Sequence, residues 1–219
     1  MDAPRAVALV FAGGDPVDRD VAARLPTGAV TVVAADSGVE QALALGCTVD
    51  LVVGDFDSAD PAAVEAAVAA GAEVRRYPRA KAQSDLELAL HAARELGASR
   101  VIVVGGAGGR LDHLLANLLL LASPSFADVD VEAIVGRARI TVIRRETRLS
   151  GTPGDLLSLF AVGGPARGVR TAGLQYPLAG EDLLPGSTRG LSNELVEPVA
   201  TVSIEHGTML ALQPDTGGS

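Results

Sequence analysis

Several things are scarce in this chain, and each scarcity excludes something. Among 219 residues there is one cysteine, Cys47, and no tryptophan. A lone cysteine excludes an intrachain disulfide and a cysteine zinc cluster. Aromatic residues make up only 3% of the chain; Ala, Val, Leu and Gly dominate, which suits close packing of helices on a sheet. Positive charge is short as well: 18 Lys and Arg face 27 Asp and Glu, for a formal net charge of -9. A nucleic-acid surface needs a basic footprint, so that class is excluded. A nucleotide is not, because a metal ion can offset its charge. No apolar run approaches the roughly 20 residues of a membrane-spanning helix. Met1–Arg5 lacks the basic start and apolar stretch of a signal peptide. The expected setting is therefore cytoplasmic, away from membranes.

What is present is a hydrophobic share of 48%, enough for a sizeable core. The first two thirds of the chain alternate short apolar runs with helical patterns. Candidate strands are Ala6–Phe11, Ala29–Ala34, Leu51–Val53, Glu73–Arg76 and Val101–Val104, with Val131–Val135 as a sixth. Each of the first five is followed by a turn and then a helix-like segment. This βαβ rhythm predicts a mostly parallel sheet with helices on both faces. Asp60-Pro61 opens one helix, which Gly71 closes. Ser84-Asp-Leu-Glu87 is a capping box for another, which runs to about Leu96 with Gly97 after it. Beyond Val135 the texture changes to short β-like runs separated by Gly and Pro: Arg139–Arg145, Leu156–Ala161, Val169–Leu174, Val199–Glu205 and Met209–Leu212. The expected organisation is an α/β domain over residues 1–136 and an all-β sandwich or barrel over 137–219. Pro214 to Ser219 reads as a disordered tail.

The most informative stretch is Asp50-Leu-Val-Val-Gly-Asp-Phe-Asp-Ser58. An apolar strand ends at Gly54, and two carboxylates, Asp55 and Asp57, follow at once. At the carboxyl end of a parallel strand such a turn faces the crevice where α/β proteins bind ligands. A hard cation such as Mg2+, which prefers carboxylate oxygen and often arrives with a phosphate, accounts for the pair. The other strand ends add Gly13-Gly14, Asp36-Ser-Gly38, then Lys81, Ser84 and Asp85, and finally Gly105-Gly-Ala-Gly-Gly-Arg-Leu-Asp112-His113. Five aspartates from four loops would share one edge of the sheet, a cluster that repels itself unless cations occupy it. The glycine-rich loop lets backbone N–H groups approach phosphate oxygens. It is neither a Walker A loop nor G-x-G-x-x-G. Read singly, Ser84-Asp85 and Asp112 serve equally well as helix starts, and Asp36-Ser-Gly38 as a turn.

Taken in order, these residues resemble the thiamine pyrophosphokinase (thiamine diphosphokinase) family. The motifs that carry the resemblance are Ala35-Asp-Ser-Gly38, Gly54-Asp-Phe-Asp-Ser58, Ser84-Asp-Leu-Glu-Leu-Ala-Leu90, Gly105–His113 with Asn117, Gly173-Leu-Gln-Tyr-Pro-Leu178 and Leu191-Ser-Asn-Glu194. Together they span nearly the whole chain. The resemblance implies a nucleotide-binding α/β domain, a thiamine-binding β-sandwich, and a homodimer with active sites between subunits. The implied reaction moves the pyrophosphoryl group of ATP to the hydroxyl of thiamine, giving thiamine diphosphate and AMP. It further implies that Asp55, Asp57 and Asp85 hold Mg2+ against the phosphates. Asp36 and Asp112 would line the reacting end, either one orienting or deprotonating the hydroxyl. Ser84 would contact the transferred group or the substrate. Arg110 and the amides of Gly105, Gly106, Gly108 and Gly109 would steady phosphate charge. Ser192 and Asn193 would help hold thiamine.

Three departures from the family pattern bear on function. Ala82 stands where an acid is frequent, Ser84 stands where threonine is usual, and no Trp is present to stack on thiamine, leaving Tyr176 as the available aromatic. They keep two other readings open: a pyrophosphokinase for another alcohol such as a pterin, and a non-catalytic nucleotide- or thiamine-binding homologue.

Overall fold

A computed structural model describes residues 6–26, 28 and 30–214. Met1–Arg5 and the expected tail beyond Pro214 lie outside the described residues. The chain divides into two compact units, Met1–Leu120 with Asp128–Arg137, and Leu121–Ala127 with Ala138–Ser219.

The first unit is built from β1 (Val7–Ala12), β2 (Val30–Ala35), α1 (Gly38–Ala44), β3 (Leu51–Gly54), α2 (Pro61–Ala69), β4 (Glu73–Arg76), α3 (Asp85–Glu95), β5 (Arg100–Gly105), α4 (Leu111–Leu121) and β6 (Asp130–Val135). Its strands lie in the order β6-β5-β1-β2-β3-β4, and every pairing is parallel. Runs such as Val-Ala-Leu-Val-Phe-Ala are apolar at every position because both faces of a parallel sheet are buried. On one face Leu9, Phe11, Val32, Ala34, Val52, Ile102 and Val104 form a cluster with Val39 and Ala42 of α1 and Ala67 of α2. The alternate residues Ala8, Val10, Val33, Val53, Val101 and Val103 are equally buried. Helix α3 packs on β1, β2 and β3 and buries Leu86, Leu90 and Ala93 outside that cluster. Helices therefore cover both faces, as the rhythm of the sequence predicts. One connection differs: β1 is followed by only a 3-10 helix, Arg19–Arg24. Pro16 and Pro26 bracket that segment, and one or two turns are too few to sustain an α-helix.

The helix starts read from the sequence are present. Asp60 accepts from Ala62 N at 2.9 Å, with Pro61 in the first turn. Ser84 Oγ accepts from Glu87 N at 3.2 Å. Strand order reverses between β1 and β5, since β2 runs off one side of β1 and β6 off the far side of β5. Their carboxyl ends therefore open a crevice at the switch point of the sheet.

The second unit contains β7 (Ala138–Ile143), β8 (Thr147–Ser150), β9 (Leu156–Ala161), β10 (Ala166–Ala172), β11 (Ala179–Leu183), β12 (Asn193–Glu194), β13 (Val199–Ser203) and β14 (Met209–Gln213). Two antiparallel groups form, β12-β9-β14-β7 and β11-β10-β13-β8. Ile143, Leu157, Leu159 and Met209 from the first share one core with Leu149, Val169, Leu183, Ala200 and Val202 from the second. That is a sandwich. Strands β8, β11 and β12 have no apolar run to announce them: each is short and lies at the end of its sheet, and β8 and β11 bury one side chain apiece. Among the described residues no helix is long and apolar enough to cross a membrane.

Candidate active site

The crevice at the switch point has a volume of about 590 Å³, within the range of small-molecule sites. It is lined by the residues at the strand ends: Asp36, Asp55, Asp57, Ser84 and Asp85, together with Gly106, Gly108, Gly109 and Arg110. All belong to the first unit.

The backbone that places these groups is strained in telling positions. Three non-glycine residues among those described have positive φ: Asp36 (47°), Phe56 (61°) and Ser192 (55°). Such conformations cost about 1–3 kcal/mol each and persist where surroundings enforce them. At Phe56 the enforcement is visible. Arg76 stacks 4.6 Å from the ring centre and donates to the carbonyl of Asp55 at 3.2 Å, while Asp57 N donates to Asp55 Oδ1 at 3.2 Å. The turn so held presents both carboxylates to the crevice. Gly54, just before it, has a φ of 153° that side chains rarely adopt, and its surroundings are tight. A Cβ there would sit 3.2 Å from Asp85 Oδ1 and 3.3 Å from Asp36 Cα. The two glycine loops are fastened to each other by Asp15 N to Ala107 O (2.6 Å) and Gly106 N to Gly13 O (3.0 Å). Gln41 of α1 holds the first loop through Gly14 O and Asp15 O, both at 3.2 Å, and Val17 N at 3.0 Å.

Carboxylate oxygens of Asp36, Asp55 and Asp57 come within 4.8 Å of one another. Asp36 is only 8% exposed. Its Oδ2 accepts from Ser58 Oγ, while its buried Oδ1 has no hydrogen-bond partner among the described residues. Beside this trio Lys81 Nζ lies 2.7 Å from Asp55 Oδ2 and 2.9 Å from Asp85 Oδ1, the second contact being an ion pair rather than an aligned hydrogen bond. Arg79 pairs with Asp57 at 3.0 Å. The lysine hydrogen bond holds the Asp55 carboxyl below its ordinary range. Burial pushes Asp85 up, against the pull of the same lysine. Burial works to lower the Lys81 ammonium, but Asp55 and Asp85 hold it above its ordinary value.

The expected residues do not all converge. Asp112 is not a cap; it lies within the first turn of α4, 65% exposed, and is gripped by Arg110 through contacts of 2.6 and 2.9 Å. The guanidinium holds its carboxyl far below the usual carboxylate range. Asp112 is not among the residues that line the crevice, whereas its neighbours Arg110 and His113 are. Gly105 is buried against Ala12 O, where a Cβ would come to 2.5 Å, so its part is to let β5 and β1 end side by side. Ser192 and Asn193 belong to the second unit. Asn193 is 6% exposed. Its amide accepts from Tyr176 N (3.0 Å) and donates to Tyr176 O (2.7 Å), tying Gly173–Leu178 to Leu191–Glu194. Ser192 N donates to Ser158 Oγ at 3.1 Å. Tyr176, Leu191 and Val196 are exposed beside this junction.

Three residues that the sequence named within motifs or at strand ends, without a role, are also here. Ser58 bonds Asp36, Asn117 reaches Gly106 O at 3.4 Å, and Lys81 bridges two carboxylates. A signal for Lys81 was available: it is the only lysine in the chain, every other basic position of the 18 being arginine.

A parallel sheet that gathers carboxylates and glycine-loop backbone at its switch point defines a phosphate-handling α/β protein, here joined to a β-sandwich unit. Comparison with known proteins narrows the class. Residues 22–133 match the family model described as thiamin pyrophosphokinase, catalytic domain, and residues 139–209 match thiamin pyrophosphokinase, vitamin B1 binding domain. A thiamine pyrophosphokinase of Bacillus subtilis is 26% identical over 191 residues, covering 83% of this chain and 86% of the relative. The crystal structure of thiamine pyrophosphokinase from Bacillus subtilis superposes with a TM-score of 0.82 at 25% identity, covering 95% of this chain and 98% of its own. That of thiamin pyrophosphokinase from Geobacillus thermodenitrificans gives 0.78 at 26% identity, covering 96% and 99%. The chain belongs to the thiamin pyrophosphokinase family.

Proposed function

We propose that this chain transfers the pyrophosphoryl group of ATP to the hydroxyl of thiamine, releasing AMP. The observation that carries the reading is the convergence of Asp36, Asp55, Asp57 and Asp85 with the glycine-rich loop in one crevice, in a chain matched along both units by this family. The hydroxyl oxygen bonds to the β-phosphorus of ATP, the bond from that phosphorus to the oxygen bridging to the α-phosphate breaks, and AMP leaves with that oxygen. Nothing favours a pterin acceptor.

Mg2+ dependence belongs to the proposal, and the residues present fit such an ion. Carboxylate oxygens of Asp36, Asp55 and Asp57 lie within 4.8 Å of one another, Asp36 Oδ1 is buried and unpartnered among the described residues, and Lys81 ties Asp85 to Asp55 beside them. Asp55, Asp57 and Asp85 would hold it; when bound it supplies neutralisation of the phosphate chain. Ser84, Gly106, Gly108 and Gly109 line the same crevice and serve the phosphates, with Arg110 adding charge beside them. Asp36 is better placed than Asp112 to orient the hydroxyl and take its proton. Asp36 lines the crevice and its buried Oδ1 has no hydrogen-bond partner among the described residues, whereas both oxygens of Asp112 are bound by Arg110, which makes it a weak base. Residues 1–136 serve the nucleotide in this reading and 137–219 serve thiamine, with Ser192, Asn193 and the exposed ring of Tyr176 at the junction of two hydrogen-bonded loops. A cytoplasmic homodimer with active sites between subunits completes the proposal and rests on the family resemblance.

The test is to incubate the protein with ATP, Mg2+ and thiamine and follow both products. Equimolar thiamine diphosphate and AMP are expected. AMP without thiamine diphosphate would sink the acceptor, and neither product from folded protein would sink the reaction.

A further inference from the structure

The single lysine of the chain stands where a cation is wanted. Lys81 is 10% exposed at its side chain and bridges Asp55 Oδ2 (2.7 Å) and Asp85 Oδ1 (2.9 Å). These are two of the three carboxylates assigned above to Mg2+. The choice of residue type is informative, because elsewhere this chain uses arginine throughout. A guanidinium is a planar fork that spreads its charge over several donors, whereas an ammonium is a compact point charge with three donors. Arginine also bridges carboxylates here, as Arg75 does between Glu73 and Glu95, but the compact ammonium is nearer in size to a small cation. The neighbouring position adds a further point. Ala82 carries no charge, so no adjacent acid offers Lys81 another partner.

We infer that Lys81 is a resident counter-ion that keeps metal out of the nucleotide-free crevice and yields its place only when metal arrives together with a polyphosphate. The inference rests on the metal–triphosphate reading of the crevice given above. A divalent cation entering alone would take Asp55 and Asp85 from the ammonium and leave a largely buried positive charge without the two carboxylates that pair it, which is costly. A polyphosphate entering with the metal supplies that anion, so the ammonium turns from carboxylate to phosphate without losing its pairing. Metal and nucleotide then favour each other's binding, and by linkage the effect is reciprocal. Lys81 is a positioning residue in this scheme. It sets the order of loading and ends on the phosphate chain.

Mn2+ binding to nucleotide-free protein, read by electron paramagnetic resonance, tests this without any turnover. Lys81→Met and Lys81→Gln should each bind Mn2+ alone on the order of tenfold more tightly than the wild type. A non-hydrolysable ATP analogue should then tighten Mn2+ less in the variants than in the wild type. Equal or weaker Mn2+ binding by folded variants would overturn the inference. If no protein, with or without the analogue, bound Mn2+, the metal reading of the crevice would fall with it. The wild type carries a second test, independent of whether the variants fold. Because Lys81 is alone, protein grown with 13Cε-lysine shows one side-chain resonance. That resonance should hold its position under Mg2+ alone and move when Mg2+ and the analogue are added together. A full shift on Mg2+ alone would show that the ammonium is no barrier and would overturn the proposal.

Discussion

Asp55 and Asp57 leave the same turn into different surroundings, the first 12% exposed against Lys81 and the second 42% exposed against Arg79. Asp57 therefore contributes little to the core. Asp57→Asn should lower turnover on the order of a hundredfold or more, the scale of lost electrostatic stabilisation of a transferring group. Its unfolding free energy should move by no more than about 0.5 kcal/mol, as for other surface substitutions. Steady-state kinetics and thermal melts of the same preparation check both. A large loss of stability with activity kept would make Asp57 structural. Asp55 should instead show itself in the pH dependence of the metal-free protein. Its pKa in the folded state is lowered from 3.8, chiefly by the hydrogen bond from Lys81. A depressed carboxyl binds fewer protons folded than unfolded, so its stabilising contribution is present above 3.8 and is lost as pH falls through the lower folded value. The melting-temperature difference between wild type and Asp55→Asn should be constant from pH 7 down to about pH 5. It should then shrink below about pH 4 as the wild type loses its advantage. A difference that stayed flat below pH 4 would show that the lysine contact does not perturb Asp55.

At the scale of elements, Gly38 shows how tightly the crevice depends on packing behind it. It opens α1, and a Cβ there would lie 2.1 Å from the carbonyl oxygen of Phe11 in β1. Gly38→Ala must push the start of α1 away from the sheet, which should cost about 1–3 kcal/mol by overpacking. Urea unfolding should show a lower midpoint with an unchanged slope. Activity should fall with it, because Asp36 and Ser37 precede that residue. The parallel strands were readable because continuous apolar runs ending in Gly or Asp have few other uses. Helices α2 and α3 were readable because Asp60-Pro61 and Ser84 through Glu87 declare their starts chemically. Strand β11, Ala-Gly-Glu-Asp-Leu, was not, because an edge strand with one buried side chain carries no hydrophobic alternation and is fixed by its neighbour β10 instead. The same limit hid the partners of Lys81 and Ser58, though both residues were named from the sequence. Nothing local says that Ser58 meets Asp36 twenty-two residues earlier; the parallel register of β2 on β3 brings them together.

For the whole molecule, the sequence change near Gly136 separates parallel from antiparallel texture, but the compact units are interleaved: Leu121–Ala127 clusters with the second and Asp128–Arg137 with the first. Texture follows local pattern, whereas membership of a unit follows which core a segment packs into, and a short 3-10 stretch such as Pro124–Phe126 has no pattern to declare that. The proposed division of labour can nevertheless be tested on the intact chain by amide hydrogen exchange with one ligand at a time. Mg2+ with a non-hydrolysable ATP analogue should protect residues 36–38, 55–58, 81–86 and 105–110, which carry the carboxylates and the phosphate-facing amides. Thiamine should protect 173–178 and 191–196, the two loops that Asn193 fastens through Tyr176. Thiamine carries a positive charge, so the field of a chain with net charge -9 favours its approach. Its docking would exclude water from a junction where Tyr176 is now 60% exposed. Protection by thiamine confined to the aspartate crevice would overturn the assignment of thiamine to the β-sandwich. Equal protection of both regions by the nucleotide analogue alone would overturn the assignment of the nucleotide to the α/β unit.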